Sequence, residues 1–156
     1  KDTGYEVPQT SDEFNESQLP PQCELNYQAY AEKVSLAERK CWLRLHAVKP
    51  IENDNLLKAG NTLTQRTDRT RLNEVIVKMD VSGMAPGEKA GFSHFGSPEY
   101  AAIGIVCDGN IRRLQFTVNG KITNGPRIPG KIIWLKSGWG LDGVSRFYYS
   151  FNGKSF

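Results

Sequence analysis

Four Asp-Gly or Asn-Gly pairs fall in the last third of the chain, Asp108-Gly109, Asn119-Gly120, Asp142-Gly143 and Asn152-Gly153, separated by runs rich in Ile, Val, Phe and Tyr. Such pairs supply the positive φ angles of tight type I′ turns, and turn signals recurring at intervals of about ten residues suit the short strands of a sandwich or barrel. The period-two patterning agrees. Trp42-Leu43-Arg44-Leu45-His46-Ala47 alternates apolar and polar residues, and Glu74-Val75-Ile76-Val77-Lys78-Met79-Asp80 does so less regularly. Both predict half-buried strands. Further strands are expected over Ala90 to Phe95, Ala101 to Cys107, Arg112 to Val118, Lys131 to Lys136 and Arg146 to Phe151. Only Tyr27 to Ala37 and Ile51 to Lys58 have room for a short helix, because elsewhere Gly or Pro interrupts any helical period. There is no internal repeat. The expected class is all-β, an antiparallel sandwich.

The length, 156 residues with 38% apolar content, suits one domain with one core. Residues 1–10, with Pro8, read as a linker and residues 11–156 as the domain, which opens on an extended segment through Pro20 and Pro21. Lys and Arg exceed Asp and Glu by 20 − 17 = 3. The basic residues are scattered apart from Arg66, Arg69 and Arg71 and the pair Arg112 and Arg113, so no concentrated phosphate-binding face is expected and nucleic acid is set aside as a partner. No apolar run approaches the roughly 20 residues that cross a bilayer, and no signal peptide opens the chain. Membrane is set aside likewise, and any targeting segment is expected to lie outside these residues.

The chemistry expected of common enzymes does not assemble in the sequence. Cys23, Cys41 and Cys107 are odd in number and lack Cys-x-x-Cys spacing, which argues against a disulfide framework or a zinc site. One bridge, Cys41 to Cys107, stays open because both residues fall in strand-like runs. His46 and His94 are isolated from any companion ligand or triad spacing. Gly-x-Ser-x-Gly, the dinucleotide fingerprint and the Walker pattern are all absent. Asp80, Asp108 and Asp142 adjoin turns, where the side chain caps local backbone, and this is preferred to a pair of hydrolytic carboxylates. Calcium held by Asp12, Asp108 or Asp142 lacks EF-hand-like ligand spacing, so no cofactor is expected beyond an optional structural ion.

Flat aromatic faces stack on sugar rings, which makes Trp139, Tyr100 and Trp134, with His94 nearby in sequence to Tyr100, the candidates for carbohydrate binding or for a domain interface. Trp134 lies in Ile132-Ile133-Trp134-Leu135, a core-strand pattern, and packing is the expected role. Trp139 lies between glycines in Ser137-Gly138-Trp139-Gly140, which places it on a loop or strand end. Packing is preferred there too.

The order of short motifs carries a resemblance. Trp42-Leu43-Arg44-Leu45-His46-Ala47, then Asn61-Thr62-Leu63-Thr64-Gln65-Arg66, then Ala90-Gly91-Phe92-Ser93-His94-Phe95 resemble the C-terminal β-sandwich of family 43 glycoside hydrolases. Trp134-Leu135-Lys136, Trp139-Gly140-Leu141-Asp142-Gly143, Tyr148-Tyr149-Ser150 and Asn152-Gly153-Lys154-Ser155-Phe156 continue it, and Val7-Pro8-Gln9-Thr10-Ser11-Asp12-Glu13-Phe14 is similar to the linker that follows the catalytic domain. The resemblance spans nearly the whole chain.

It implies a concanavalin A-like sandwich (jelly roll) accompanying a five-bladed propeller that cleaves xylosidic or arabinosidic bonds of plant polysaccharide such as xylan. Inverting hydrolysis uses an acid and a base carboxylate about 6.5 to 9.5 Å apart. The resemblance puts both on the propeller, so no residue here is expected to be catalytic. The implied role is accessory, as a buttress and as a wall beside the sugar pocket, with an independent xylan or arabinoxylan-binding module as the alternative. Cys23 stands where similar domains carry an aromatic, and Cys41 where they often carry glycine. Similar domains also continue beyond the position of Phe156, so a sandwich short of its last strand or strands is expected, with an open sheet edge that invites dimerisation. The resemblance leaves the parent's compartment open among periplasm, cell exterior and cytoplasm.

Overall fold

In a computed structural model of the chain, residues 4, 10–26, 30–52, 55–66, 70–95 and 99–156 are described. The chain divides into two compact units, residues 1–67 and 68–156.

The first unit contains two small antiparallel pairs. β1 (Cys23–Asn26) pairs with β4 (Thr62–Gln65), and β2 (Val34–Ser35) pairs with β3 (Arg44–Leu45). The strand expected over Trp42 to Ala47 is thus reduced to two residues. Among the described residues neither expected helix is an α-helix. Part of each falls outside the described residues; of the rest, Ala31–Lys33 and Leu56–Lys58 make single 3₁₀ turns. Asn55 caps the second, accepting from the Leu57 N–H. Asn61 is buried with a φ of 55°, and its side-chain oxygen accepts from the Tyr30 N–H at 2.8 Å. An Asn tolerates that left-handed backbone while its amide holds a distant segment.

The second unit is the sandwich. β5 (Leu72–Asp80), β10 (Ile132–Gly140) and β11 (Arg146–Ser150) form a sheet in the order β11-β10-β5, and β6 (Lys89–Phe95), β7 (Tyr100–Asp108), β8 (Ile111–Val118) and β9 (Lys121–Arg127) form a sheet in sequence order. All pairings are antiparallel. Alternation sends Ile133 and Leu135 of β10 inward to meet Ile103 and Ile105 of β7 and Leu114 of β8, and Val81 and Ile128 close the cluster. Burial of these side chains is the main source of stability, at about 1.5–3 kcal/mol for each fully buried Ile, Leu or Val.

The turns differ in type from expectation. Asn119 and Gly120 both take positive φ, 47° and 83°, between the paired Val118 and Lys121, as a type I′ turn requires. Asp108, however, pairs with Ile111, so the turn residues are Gly109 and Asn110, and only Gly109 is positive at 55°. That is the type II′ arrangement. At the other two pairs only the glycine is positive, while Asp142 accepts from the Val144 N–H and Asn152 from the N–H groups of Lys154 and Ser155. The capping role expected for Asp holds at Asp142 and at Asp80, which accepts from the Ser82 N–H.

All three cysteines are free thiols, so the bridge left open in the sequence is not formed. Cys41 lies in a turn with a φ of 62°, not in a strand, and Cys107 is buried at the end of β7.

Candidate functional site

The central strand of the three-stranded sheet creates a groove on the sheet's outer face. Residues 136, 138 and 140 of β10 point outward, and two of them are glycines. The missing side chains lower the floor between Arg146 and Tyr148 of β11 on one side and Leu72 and Glu74 of β5 on the other. The resulting cavity is about 510 Å³. Gly140 cannot be filled in, because a Cβ there would sit 2.7 Å from the Arg71 carbonyl oxygen. β10 runs four residues beyond the expected end at Lys136, with Ser137-Gly138-Trp139-Gly140 a strand with glycines on one face; of the loop or strand end suggested for Trp139 in the sequence, the strand end is what forms.

Four of the five charged side chains lining the groove are paired with one another. Lys136 Nζ lies 2.9 Å from Glu74 Oε2, and Arg146 donates to Asp142 at 2.9 Å. The Lys136 ammonium also lies over the rings of Tyr148 and Phe156, at 5.4 and 5.0 Å from their centroids. The Arg146 hydrogen bond, with the Val144 N–H, holds the Asp142 carboxyl below the usual range. A glycosidase acid needs the opposite shift, so this carboxylate is suited to neutralise Arg146 and not to donate a proton.

The four aromatic and histidine candidates go to three places. His94 and Trp139 are brought together inside the sandwich, their rings edge to face at 4.8 Å, with Phe92 and Phe147 also against the imidazole at 5.3 and 5.2 Å. His94 Nε2 lies 2.8 Å from Ser137 Oγ and Nδ1 lies 3.3 Å from Ser145 Oγ. Burial pushes its pKa below the ordinary 6.5. A neutral imidazole donating to one hydroxyl and accepting from the other satisfies this environment. Trp139 also borders the groove, next to last in β10, and its carbonyl accepts from Asn73. Trp134 is in a strand as expected, but its ring lies on the outer face, over Gly153 and with Lys78 at 5.8 Å. Tyr100 begins β7 on the other sheet, exchanging backbone contacts with Asn119, whose side chain accepts from the Tyr100 N–H.

Sequence reasoning missed Tyr148, Leu72 and the two floor glycines. Tyr148 and Leu72 are 38% and 82% exposed, which alternation within their strands signals; that they share one groove follows only from strand pairing. Among the described residues no group of three or more His, Cys, Asp or Glu gathers as a metal site. Burial, then the charge of Asp12, raises the Cys23 thiol pKa, which opposes a nucleophilic role.

Residues 11–156 match the family described as the β-xylosidase C-terminal concanavalin A-like domain. A β-xylosidase of Formosa agariphila is 30% identical over 175 residues, an alignment covering 98% of this chain and 29% of that protein. A family 43 glycoside hydrolase engineered to display both endo-xylanase and exo-arabinofuranosidase activity superposes with a TM-score of 0.85 at 25% identity, covering 100% of this chain and 34% of that one. A bifunctional GH43-CE protein of Bacteroides eggerthii gives 0.80 at 26% identity, over 92% of this chain and 20% of that one. The chain thus spans about a third or less of each of these relatives. Its antiparallel sandwich and its match over residues 11–156 place it in the family of concanavalin A-like domains found at the C-terminus of β-xylosidases.

Proposed function

We propose that this domain serves a family 43 glycoside hydrolase acting on xylosides or arabinosides of plant polysaccharide, where it buttresses the catalytic propeller and lends a wall to the rim of its sugar pocket. The observation that carries this reading is the span of the match, nearly all of this chain against 29% of a β-xylosidase. The neutralised carboxylates of the groove support a non-catalytic role. A wall of this kind acts by positioning substrate and excluding water. The test compares the parent enzyme with a version lacking this domain, and the domain alone, on aryl xylosides and arabinosides. The domain alone should give no turnover, and its removal should lower the parent's thermal midpoint and raise KM. An unchanged parent would refute the buttress.

A second reading, an independent sugar-binding module, is favoured by the glycine-floored groove with its exposed Tyr148 ring. Calorimetric titration of this chain with neutral xylo- and arabino-oligosaccharides separates the two. Saturable heat lost in Tyr148→Ala, or in Trp139→Ala with the fold intact, supports the module; absence of heat supports the buttress.

A further inference from the structure

The opposite sheet carries an arrangement that the accessory role does not use. Three arginines converge at the β8–β9 edge. Arg113 and Arg127 are directly opposite one another in register, and Arg113 precedes the inward-facing Leu114, so both side chains belong to the outer face. Like charges placed opposite each other across a strand pair are destabilising, so the pairing calls for an explanation. It is produced by a local irregularity. Between Gln115↔Asn124 and Arg113↔Arg127 the register shifts, with Gly125 and Pro126 both facing Leu114. A regular ladder would set Arg127 opposite Arg112, on the inner face; the extra residue turns it outward to face Arg113. Bulges re-aim side chains in this way. The bulge also supplies the Gly125 carbonyl that accepts from Arg113 Nη1 at 3.3 Å.

Arg112 stands behind this pair. It is half-buried, and Nη1 donates to the Val81 carbonyl at 2.7 Å, which fixes the guanidinium at the end of the sandwich. Arg112 and Arg127 line a pocket of about 350 Å³ with Asn110, Ile128 and Pro129. Among the described residues, none of the three arginines forms an ion pair, whereas Arg44, Lys58, Lys136 and Arg146 each do. Asp108 lies diagonally from Arg113 on the adjacent β7, and it too makes no ion pair with these arginines. Next along the same outer face, Gln115 donates to Asn124 at 3.0 Å, an amide pair about 7 Å from the arginines by strand spacing.

We propose that this edge is a subsite for an acidic sugar, with the carboxylate of a uronic acid held between the guanidinium groups of Arg113 and Arg127 and its neighbouring hydroxyls met by Gln115 and Asn124. A guanidinium fork matches a carboxylate in two parallel hydrogen bonds, and a single anion relieves the repulsion between the two arginines. The amide pair supplies both a donor and an acceptor for hydroxyls. The choice of a sugar as the carrier of the carboxylate rests on the polysaccharide reading above; the demand for an anion does not.

The experiment is calorimetric titration of the 156-residue chain with a xylo-oligosaccharide bearing one glucuronic acid, the same oligosaccharide without it, inorganic phosphate and a short single-stranded RNA. The acidic oligosaccharide should bind about tenfold more tightly than the neutral one, the scale of one lost charge-assisted contact. Arg113→Gln and Arg127→Gln should each abolish that preference with thermal midpoints unchanged or slightly raised, since both side chains are exposed and each substitution relieves the repulsion between them. Trp139→Ala and Tyr148→Ala should leave it intact. Equal binding of the acidic and neutral sugars, a preference that survives both arginine substitutions, or phosphate or RNA binding as tightly as the acidic sugar would overturn the proposal. None of these results bears on whether the domain buttresses a propeller, which the activity comparison decides.

Discussion

Cys41 occupies a backbone conformation, φ 62°, that glycine adopts without strain and that costs other L-residues about 1–2 kcal/mol. The resemblance had marked this position as one where glycine is common, and the dihedral gives the physical reason. Cys41→Gly relieves that strain but loses the contact of Sγ with Asn15 Oδ1 and loosens the unfolded chain, an opposing effect of about 0.4–1 kcal/mol. The net outcome expected from denaturant titration is stabilisation by about 0.5 kcal/mol. His94 makes a second prediction. Burial depresses its folded pKa below 6.5, so as pH falls the unfolded chain takes up the proton first. Its contribution is therefore fully present above that value and declines below it, until the folded pKa is reached. Thermal midpoints followed from about pH 7.5 to about pH 5.5 should fall less in His94→Gln than in the parent, and parallel curves would show that the imidazole is not the source.

At the scale of elements, the strands legible in the sequence are those rich in β-branched and aromatic residues whose ends are closed by turn residues, whereas the regular alternation of Trp42 to Ala47 yields only the two-residue β3. β5, β6, β7, β8 and β11 fall within two residues of expectation for that reason. β9 was not legible: Lys121–Arg127 has two β-formers, Ile122 and Thr123, both exposed, and it is held as a strand by the Asn119-Gly120 hairpin and its ladder to β8. β1 and β4 are four residues each, too short to show a period, and they pair across a long stretch of chain. The groove was hidden for a related reason, because it is defined by side chains that are absent at Gly138 and Gly140. Glycines also separate two kinds of strand defect. Gly120→Ala meets no neighbour within 4 Å and bears only the cost of a positive φ, about 1 kcal/mol. Gly91→Ala places a Cβ 2.4 Å from the Ile103 carbonyl oxygen and 2.5 Å from Gly104 Cα, so β6 and β7 must part. Its cost should be about 2–4 kcal/mol by urea unfolding, clearly above that of Gly120→Ala.

Over the whole molecule, the weak net charge conceals an asymmetry. Residues 1–67 carry 8 basic and 10 acidic residues, 8 − 10 = −2, while residues 68–156 carry 12 and 7, 12 − 7 = +5. The sandwich is thus the basic part, and a summed charge so small said nothing of where an anion would be drawn. The sequence showed the arginine pair at 112 and 113 but not its meeting with Arg127, which depends on a bulge two strands' pairing creates. The thiols add a further consequence. Cys107, 3% exposed, donates weakly to the carbonyls of Met84 and Gly109, whereas Cys41 is exposed. With no disulfide among them and Cys23 replaced by Ser, the two remaining thiols are chemical clocks started by the same reagent: a maleimide should mark Cys41 within the mixing time, and mark Cys107 only as often as the sandwich breathes open. Leu135→Ala, which hollows the core at a cost of about 2–5 kcal/mol, should quicken the second clock and leave the first unchanged, turning a buried sulfur into a stopwatch for the fold.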